Sequence, residues 1–241
     1  MFSLNHFLWL LICICLIVLL LYVFKIKKIS FNHVLIILVI TCFISEFVKN
    51  SVNMIAIDET NITKGFILDP NDLPFHLCSI QMFFFIALKF FVKNEKTKDT
   101  LLGFMIPTLL IGGIMAIFIP TVGTSFKNVQ VYQYFLYHMM IIFFAIYCLE
   151  NKIVDYKWTH LKQNLIIMVF LAFFALWINS MLSGVIESPN FFYITRPPME
   201  NLPLLNLNNG WYAYFLTLVT LVILLFTSFN AIVMLIYKKR R

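Results

Sequence analysis

Residues that could do chemistry are concentrated in one short stretch of an otherwise apolar chain. Residues 71–84 read NDLPFHLCSIQMFF, which places a histidine, a cysteine and a glutamine at the mouth of a hydrophobic run. Residues three or four apart on a helix share a face, so Cys78 and Gln81 are predicted to lie together. His76, two residues before Cys78, is predicted to point away.

The thiol of Cys78 needs a partner before it can act as a nucleophile, because it is mostly protonated at neutral pH. Asp72 is predicted to cap the helix and Pro74 to lie in its first turn, so the helix dipole helps only modestly at this depth. A later apolar run carries His138 one turn after Tyr134. We therefore predict His138 as the base and Tyr134 as its orienting partner.

Polar residues elsewhere could complete an acyl-transfer site, which requires a nucleophile, a base and donors for an oxyanion. Gln81, Asn179 and Tyr212 are the candidate donors. Arg196, in the loop sequence NFFYITRPPME, is a candidate ligand for a lipid phosphate.

The elements that position these residues are predicted to be membrane helices. The 241 residues are 61% hydrophobic and only 12% charged, against roughly 25% charged residues in soluble domains. Uncharged stretches approach the roughly 20 residues that a helix needs to cross a bilayer, and they lack the alternation of barrel strands. We predict an all-α polytopic membrane protein in which residues 1–241 form one domain, a bundle of seven transmembrane helices at Leu4–Phe24, Asn32–Val48, Leu73–Val92, Leu101–Pro120, Tyr132–Leu149, Gln163–Leu182 and Gly210–Tyr237.

The distribution of positive charge predicts the orientation of this bundle. Most of the 18 lysine and arginine residues lie in segments 25–28, 93–99, 150–162 and 238–241, which seven spans bring to one side. Basic loops stay in the cytoplasm, so the N-terminus is predicted outside the cell membrane and the C-terminus inside. The same topology accounts for the formal charge of +7 without a nucleic-acid partner.

The cysteines indicate neither a disulfide framework nor a metal site. Their number, five, is odd, all lie in apolar runs, and none has the spacing of metal ligands. We predict no metal and no cofactor.

Two further patterns concern packing. The adjacent Gly112 and Gly113 predict a kink or a close helix approach in the fourth span. Trp211 and Tyr214, at the head of the last span, are typical of an interfacial aromatic belt.

The topology places polar residues of five spans in the outer half of the membrane. At 1.5 Å per residue, Cys78 lies about 8 Å below Leu73, and His138 about 9 Å below Tyr132. This depth matches the glycerol-ester region of a phospholipid. An outward-facing polar cavity is predicted, with glycerophospholipids and lysolipids as partners.

The segment LPFHLCSIQMF resembles the proline-histidine-leucine-cysteine signature of the YwaF-type bacterial integral membrane proteins, and is similar to the eukaryotic transmembrane protein 164 family. QYFLYHMMII, NFFYITRPP and GWYAY support the resemblance, whereas Phe75 stands where a smaller aliphatic residue is expected. The eukaryotic relatives look like acyltransferases that remodel glycerophospholipids through a cysteine nucleophile. The resemblance implies this role for Cys78 and the partner role for His138.

Three functions fit the residues. The first is a lipid acyltransferase or acyl hydrolase that forms an acyl-cysteine intermediate at Cys78. The second is a carrier or receptor for a small molecule, in which Glu46, His76 and His138 would be ligand or proton sites. The third is an accessory subunit whose polar residues only join helices.

Overall fold

The computed structural model describes residues 3–54, 70–199, 202 and 204–239. In these ranges the helices are α1 (Leu4–Ile26), α2 (Phe31–Met54), α3 (Leu77–Ile86), α4 (Glu95–Phe118), α5 (Val129–Glu150), α6 (Trp158–Leu182) and α7 (Gly210–Lys239). Short 3₁₀ helices occupy Pro70–Asp72 and Phe191–Tyr193, and α3 continues as a π-helix over Ala87–Phe91. The described chain forms no strand, so the all-α prediction is confirmed.

Six of the described helices are long and apolar enough to cross a membrane, and the apolar segment Leu77–Phe91 is shorter. At 1.5 Å per residue this segment measures about 22 Å, against about 30 Å for the hydrocarbon core. The predicted third span is therefore wrong at its start, because the helix begins at Leu77 and not at Leu73. A separate turn precedes the helix, in which the N–H group of Leu73 donates to the carbonyl of Pro70 (3.3 Å) and that of Phe75 to the carbonyl of Leu73 (2.7 Å).

Helix α5 lies at the centre of the bundle, where it contacts α1, α2 and α4. The α1 residue Trp9 stacks on Phe135 of α5, with ring centroids 4.8 Å apart. A Cβ atom on Gly113 of α4 would lie 2.6 Å from Cγ1 of Ile142. The close approach predicted for the glycine pair is thus confirmed at Gly113.

The bundle has two ends, which we name by their residues. At the Cys78 end, α1, α3, α5 and α7 begin. At the lysine end, which carries the segments 25–28, 93–99 and 150–162, α2, α4 and α6 begin. At the lysine end the N–H group of Lys157 donates to Nδ1 of the buried His160 (3.0 Å), which leaves Nε2 to donate to the Asp99 carboxylate (2.8 Å). This pair, which the sequence patterns did not indicate, joins the start of α6 to α4.

Candidate active site

Cys78 lies in the first turn of α3. His76 precedes the helix with extended backbone, at φ −72° and ψ 153°. The first bond of the helical ladder runs from the N–H group of Ile80 to the carbonyl of His76, at 2.9 Å. The N–H groups of residues 77–79 precede this bond, and such groups have no partner within their own helix. The predicted cap at Asp72 and first turn at Pro74 are wrong, and the thiol is closer to the positive end of the helix dipole than the sequence indicated.

The thiol faces α4 across a glycine. A Cβ atom on Gly112 would meet only the Sγ atom of Cys78 within 4 Å, at 3.6 Å. One turn away, Nε2 of Gln81 donates to the hydroxyl of Thr108 at 3.0 Å. Cys78 and Gln81 therefore both face α4, and the missing side chain of Gly112 leaves space beside the Sγ atom of Cys78.

Tyr137 of α5 binds the backbone of Cys78. Its hydroxyl donates to the backbone carbonyl of Cys78 at 2.7 Å. This bond fixes the first turn of α3 against the central helix α5. Tyr137 directly precedes His138 in the sequence.

His138 is buried, with 7% of its surface exposed. Nδ1 lies 2.7 Å from the backbone carbonyl of Tyr134. A carbonyl only accepts, so Nδ1 carries the proton and Nε2 is the basic nitrogen. Tyr134 thus orients the imidazole through its backbone, while its phenol donates to the carbonyl of Ala116 at 3.1 Å. Within the described residues no hydrogen bond joins His138 to Cys78.

His76 contacts the loop between α6 and α7. Its ring lies 5.1 Å from that of Phe191 and 5.3 Å from that of Tyr193, between centroids. His76 would point away from Cys78 only if both residues had helical backbone. His76 lies outside the helix, so the predicted direction does not follow.

Residues 190–196, which we call the strap, cross the Cys78 end. Asn179 of α6 accepts from the N–H group of Phe191 (2.8 Å) and donates to its carbonyl (3.1 Å). From α7, Trp211 donates to the carbonyl of Ile194 (3.0 Å) and Tyr214 to that of Tyr193. Two helices therefore hold the strap against the start of α3.

Several predicted site residues are used elsewhere. Asn179 commits its amide to the strap. Tyr212 is 84% exposed, and its role as an oxyanion donor stays a prediction. Tyr214, assigned to the aromatic belt, is instead 1% exposed. Glu46 forms an ion pair with Lys49 at 2.7 Å.

The predicted roles of Arg196 and Gln81 each require a group of the substrate, which the chain itself does not supply. Arg196 is exposed, and the side chain of Asn190 holds its backbone. Its role as a phosphate ligand stays a prediction. The Nε2 atom of Gln81 is bonded to Thr108, whose own hydroxyl donates to helix carbonyls, so the amide is held between α3 and α4.

Three residues near Cys78 were missed by sequence reasoning. Gly112 was interpreted only as a packing residue, although it lies four residues after Thr108, which is about one helical turn, as is the three-residue step from Cys78 to Gln81. Tyr137 precedes the predicted base. Tyr193 stands in the block NFFYITRPP, which had been used only for the family resemblance.

The fold and the apolar helices define a multi-pass helical membrane protein. The sequence model of the TMEM164 family matches residues 1–229, so the chain belongs to this family. No curated protein and no solved structure matches the chain.

Proposed function

We propose that this protein is a membrane acyltransferase or acyl hydrolase that uses Cys78 as its nucleophile. One observation carries the proposal: Cys78, a half-buried residue, lies in the first turn of α3, beside a glycine and three N–H groups that precede the helical ladder. Helix N-termini favour negative charge, which supports both a thiolate and a developing oxyanion.

The chemistry has two steps. Cys78 attacks the ester carbonyl carbon of a glycerophospholipid while its proton passes to a base. The intermediate then breaks the carbon-oxygen bond, the released lysolipid oxygen takes up that proton, and an acyl thioester remains. The hydroxyl of a second lysolipid, or water, attacks the thioester and regenerates the thiol.

His138 is the proposed base because its Nε2 atom is the nitrogen able to accept a proton. A general base acts within hydrogen-bond reach or through one water. Since His138 is not bonded directly to Cys78, we assign the proton transfer to a bridging water or a rotation of the thiol. The site opens to the outer leaflet of the cell membrane in the predicted orientation.

Purified protein in bilayers of a phospholipid with an isotope-labelled acyl chain tests this proposal. Intact-mass analysis should find the labelled acyl group on Cys78, and labelled chains should transfer to added lysolipid. Cys78→Ala should abolish both. Cys15→Ala is the matched control, because Cys15 is an exposed thiol on α1, far along the chain from this site.

Transfer at the wild-type rate by Cys78→Ala would disprove the nucleophile assignment. Saturable lipid binding that survives Cys78→Ser, without any acyl-protein, would favour the carrier instead.

A further inference from the structure

The strap has an unfavourable backbone conformation at two consecutive aromatic residues. Phe192 has φ 60° and Tyr193 has φ 53°. This left-handed region brings Cβ close to the following carbonyl, so bulky residues rarely adopt it. Strained backbone persists only where the surroundings impose it, and it is concentrated at functional sites.

Three side chains, from α6 and α7, hold the strap in this conformation. Asn179 is hydrogen-bonded to both the N–H group and the carbonyl of Phe191. Tyr214 donates to the carbonyl of Tyr193, and Trp211 donates to that of Ile194. Phe191 is itself 1% exposed. These hydrogen bonds fix the backbone on both sides of Tyr193. None of them involves the side chain of Tyr193.

The side chain of Tyr193 is directed to the start of α3, where its ring packs on His76. Among the described residues its hydroxyl has no hydrogen-bond partner. Burial raises the pKa of Tyr193, and a thiolate at Cys78 raises it further. The phenol is therefore protonated at neutral pH, and its free O–H group lies at the start of α3 beside His76.

Three neighbouring side-chain donors are already committed. The hydroxyl of Tyr137 is bonded to the carbonyl of Cys78, that of Tyr134 to Ala116, and the amide of Gln81 to Thr108. Tyr193 differs from all three in having a hydroxyl that is free to bind a substrate atom.

We propose that the hydroxyl of Tyr193 donates the hydrogen bond that stabilises the oxyanion formed when Cys78 attacks an ester carbonyl. This inference rests on the proposed function. As the carbon-sulfur bond forms, the carbonyl electron pair moves onto oxygen, which accepts the bond from Tyr193 without taking its proton; collapse restores the carbonyl and expels the leaving oxygen. Asn179 and Tyr214 are positioning residues that act through the strap.

The test compares two reactions of Cys78, each followed by mass spectrometry of the peptide that contains it. Acylation by p-nitrophenyl acetate passes through an oxyanion, whereas thiolation by methyl methanethiosulfonate involves no carbonyl group. Loss of one oxyanion donor costs roughly 100- to 1,000-fold in well-formed sites. For this half-buried phenol we expect Tyr193→Phe to slow acylation at least about tenfold while thiolation stays unchanged.

Two further variants sharpen the result. Tyr22→Phe, a change at a 63% exposed tyrosine of α1, should alter neither rate. Tyr214→Phe should lower acylation relative to thiolation, since it releases the carbonyl of Tyr193 and so displaces the phenol. A loss of folding would change both reactions together.

The outcomes separate this inference from the proposed function. Equal acylation of wild type and Tyr193→Phe overturns the inference even if lipid transfer is observed. Acylation that depends on Tyr193, without any lipid transfer, supports the inference and refutes the lipid acyltransferase. If Tyr193→Phe and Tyr214→Phe each lose acylation and thiolation to the same extent, Tyr193 only maintains the fold, and the inference is wrong.

Discussion

The adjacent glycines of α4 give a sharp test of the packing around Cys78, because the same substitution should have opposite effects at neighbouring positions. Alanine stabilises a helix interior by about 0.5 to 1 kcal/mol relative to glycine. At Gly112 the new Cβ meets only Sγ of Cys78, at 3.6 Å, which is an ordinary contact. Gly112→Ala should therefore stabilise the protein by about that amount.

At Gly113 the Cβ would lie 2.6 Å from Cγ1 of Ile142 and 3.4 Å from the carbonyl of His138. Ile142 is 5% exposed and has little room to move. Overpacking of this kind costs about 1 to 3 kcal/mol. The helix-propensity gain is common to both variants and cancels, so Gly113→Ala should be less stable than Gly112→Ala by about the same 1 to 3 kcal/mol.

Unfolding in mixed micelles by titration with sodium dodecyl sulfate, followed by circular dichroism, measures this difference. Gly184→Ala serves as a control outside the helices, because Gly184 follows the end of α6 and nothing lies within 4 Å of a Cβ atom there. If Gly113→Ala proved as stable as Gly112→Ala, the close contact between α4 and α5 described here would be wrong.

Three further substitutions test polar contacts by the same unfolding assay. Asn179→Leu removes both partners of the Phe191 backbone, so we expect a loss of about 1 to 3 kcal/mol and faster hydrogen exchange in the strap; unchanged exchange would contradict this anchor. Thr108→Val should cost about 1 to 3 kcal/mol by leaving the amide of Gln81 unpaired, and adding Gln81→Leu should recover most of the loss; additive losses would argue against the pair. Lys49→Met leaves the mostly buried Glu46 without its counter-charge and should destabilise the protein by more than the double variant with Glu46→Gln; the reverse order would exclude a stabilising ion pair.

The membrane helices were predictable from sequence because their apolar length decides their stability in lipid. The close approach at Gly113 was likewise predictable, since it depends on the absence of a side chain. The start of α3 was not. Asp72 and Pro74 both have favourable positions for a helix start, but the chain forms a separate turn there and delays the helix to Leu77.

The surroundings of Cys78 could be predicted only in part. The shared face of Cys78 and Gln81 follows from helical spacing alone. The inward direction of Tyr214 does not, because its distance from the helix end gives its depth and not the side of the helix that packs. The bond from Tyr214 to the strap joins residues 21 positions apart across a loop, and no local pattern encodes it.

The position of α5 has a consequence for how the protein is made. Among the six long helices of the described chain, α5 is the least apolar and the most extensively buried. Lipid alone is a poor solvent for such a segment, which carries a histidine and several tyrosines. We expect α5 to insert stably into the bilayer only after α1, α2 and α4, which are all synthesised before it, are available to contact it. Biogenesis of this bundle would then reach its central helix only after the first four helices have been inserted.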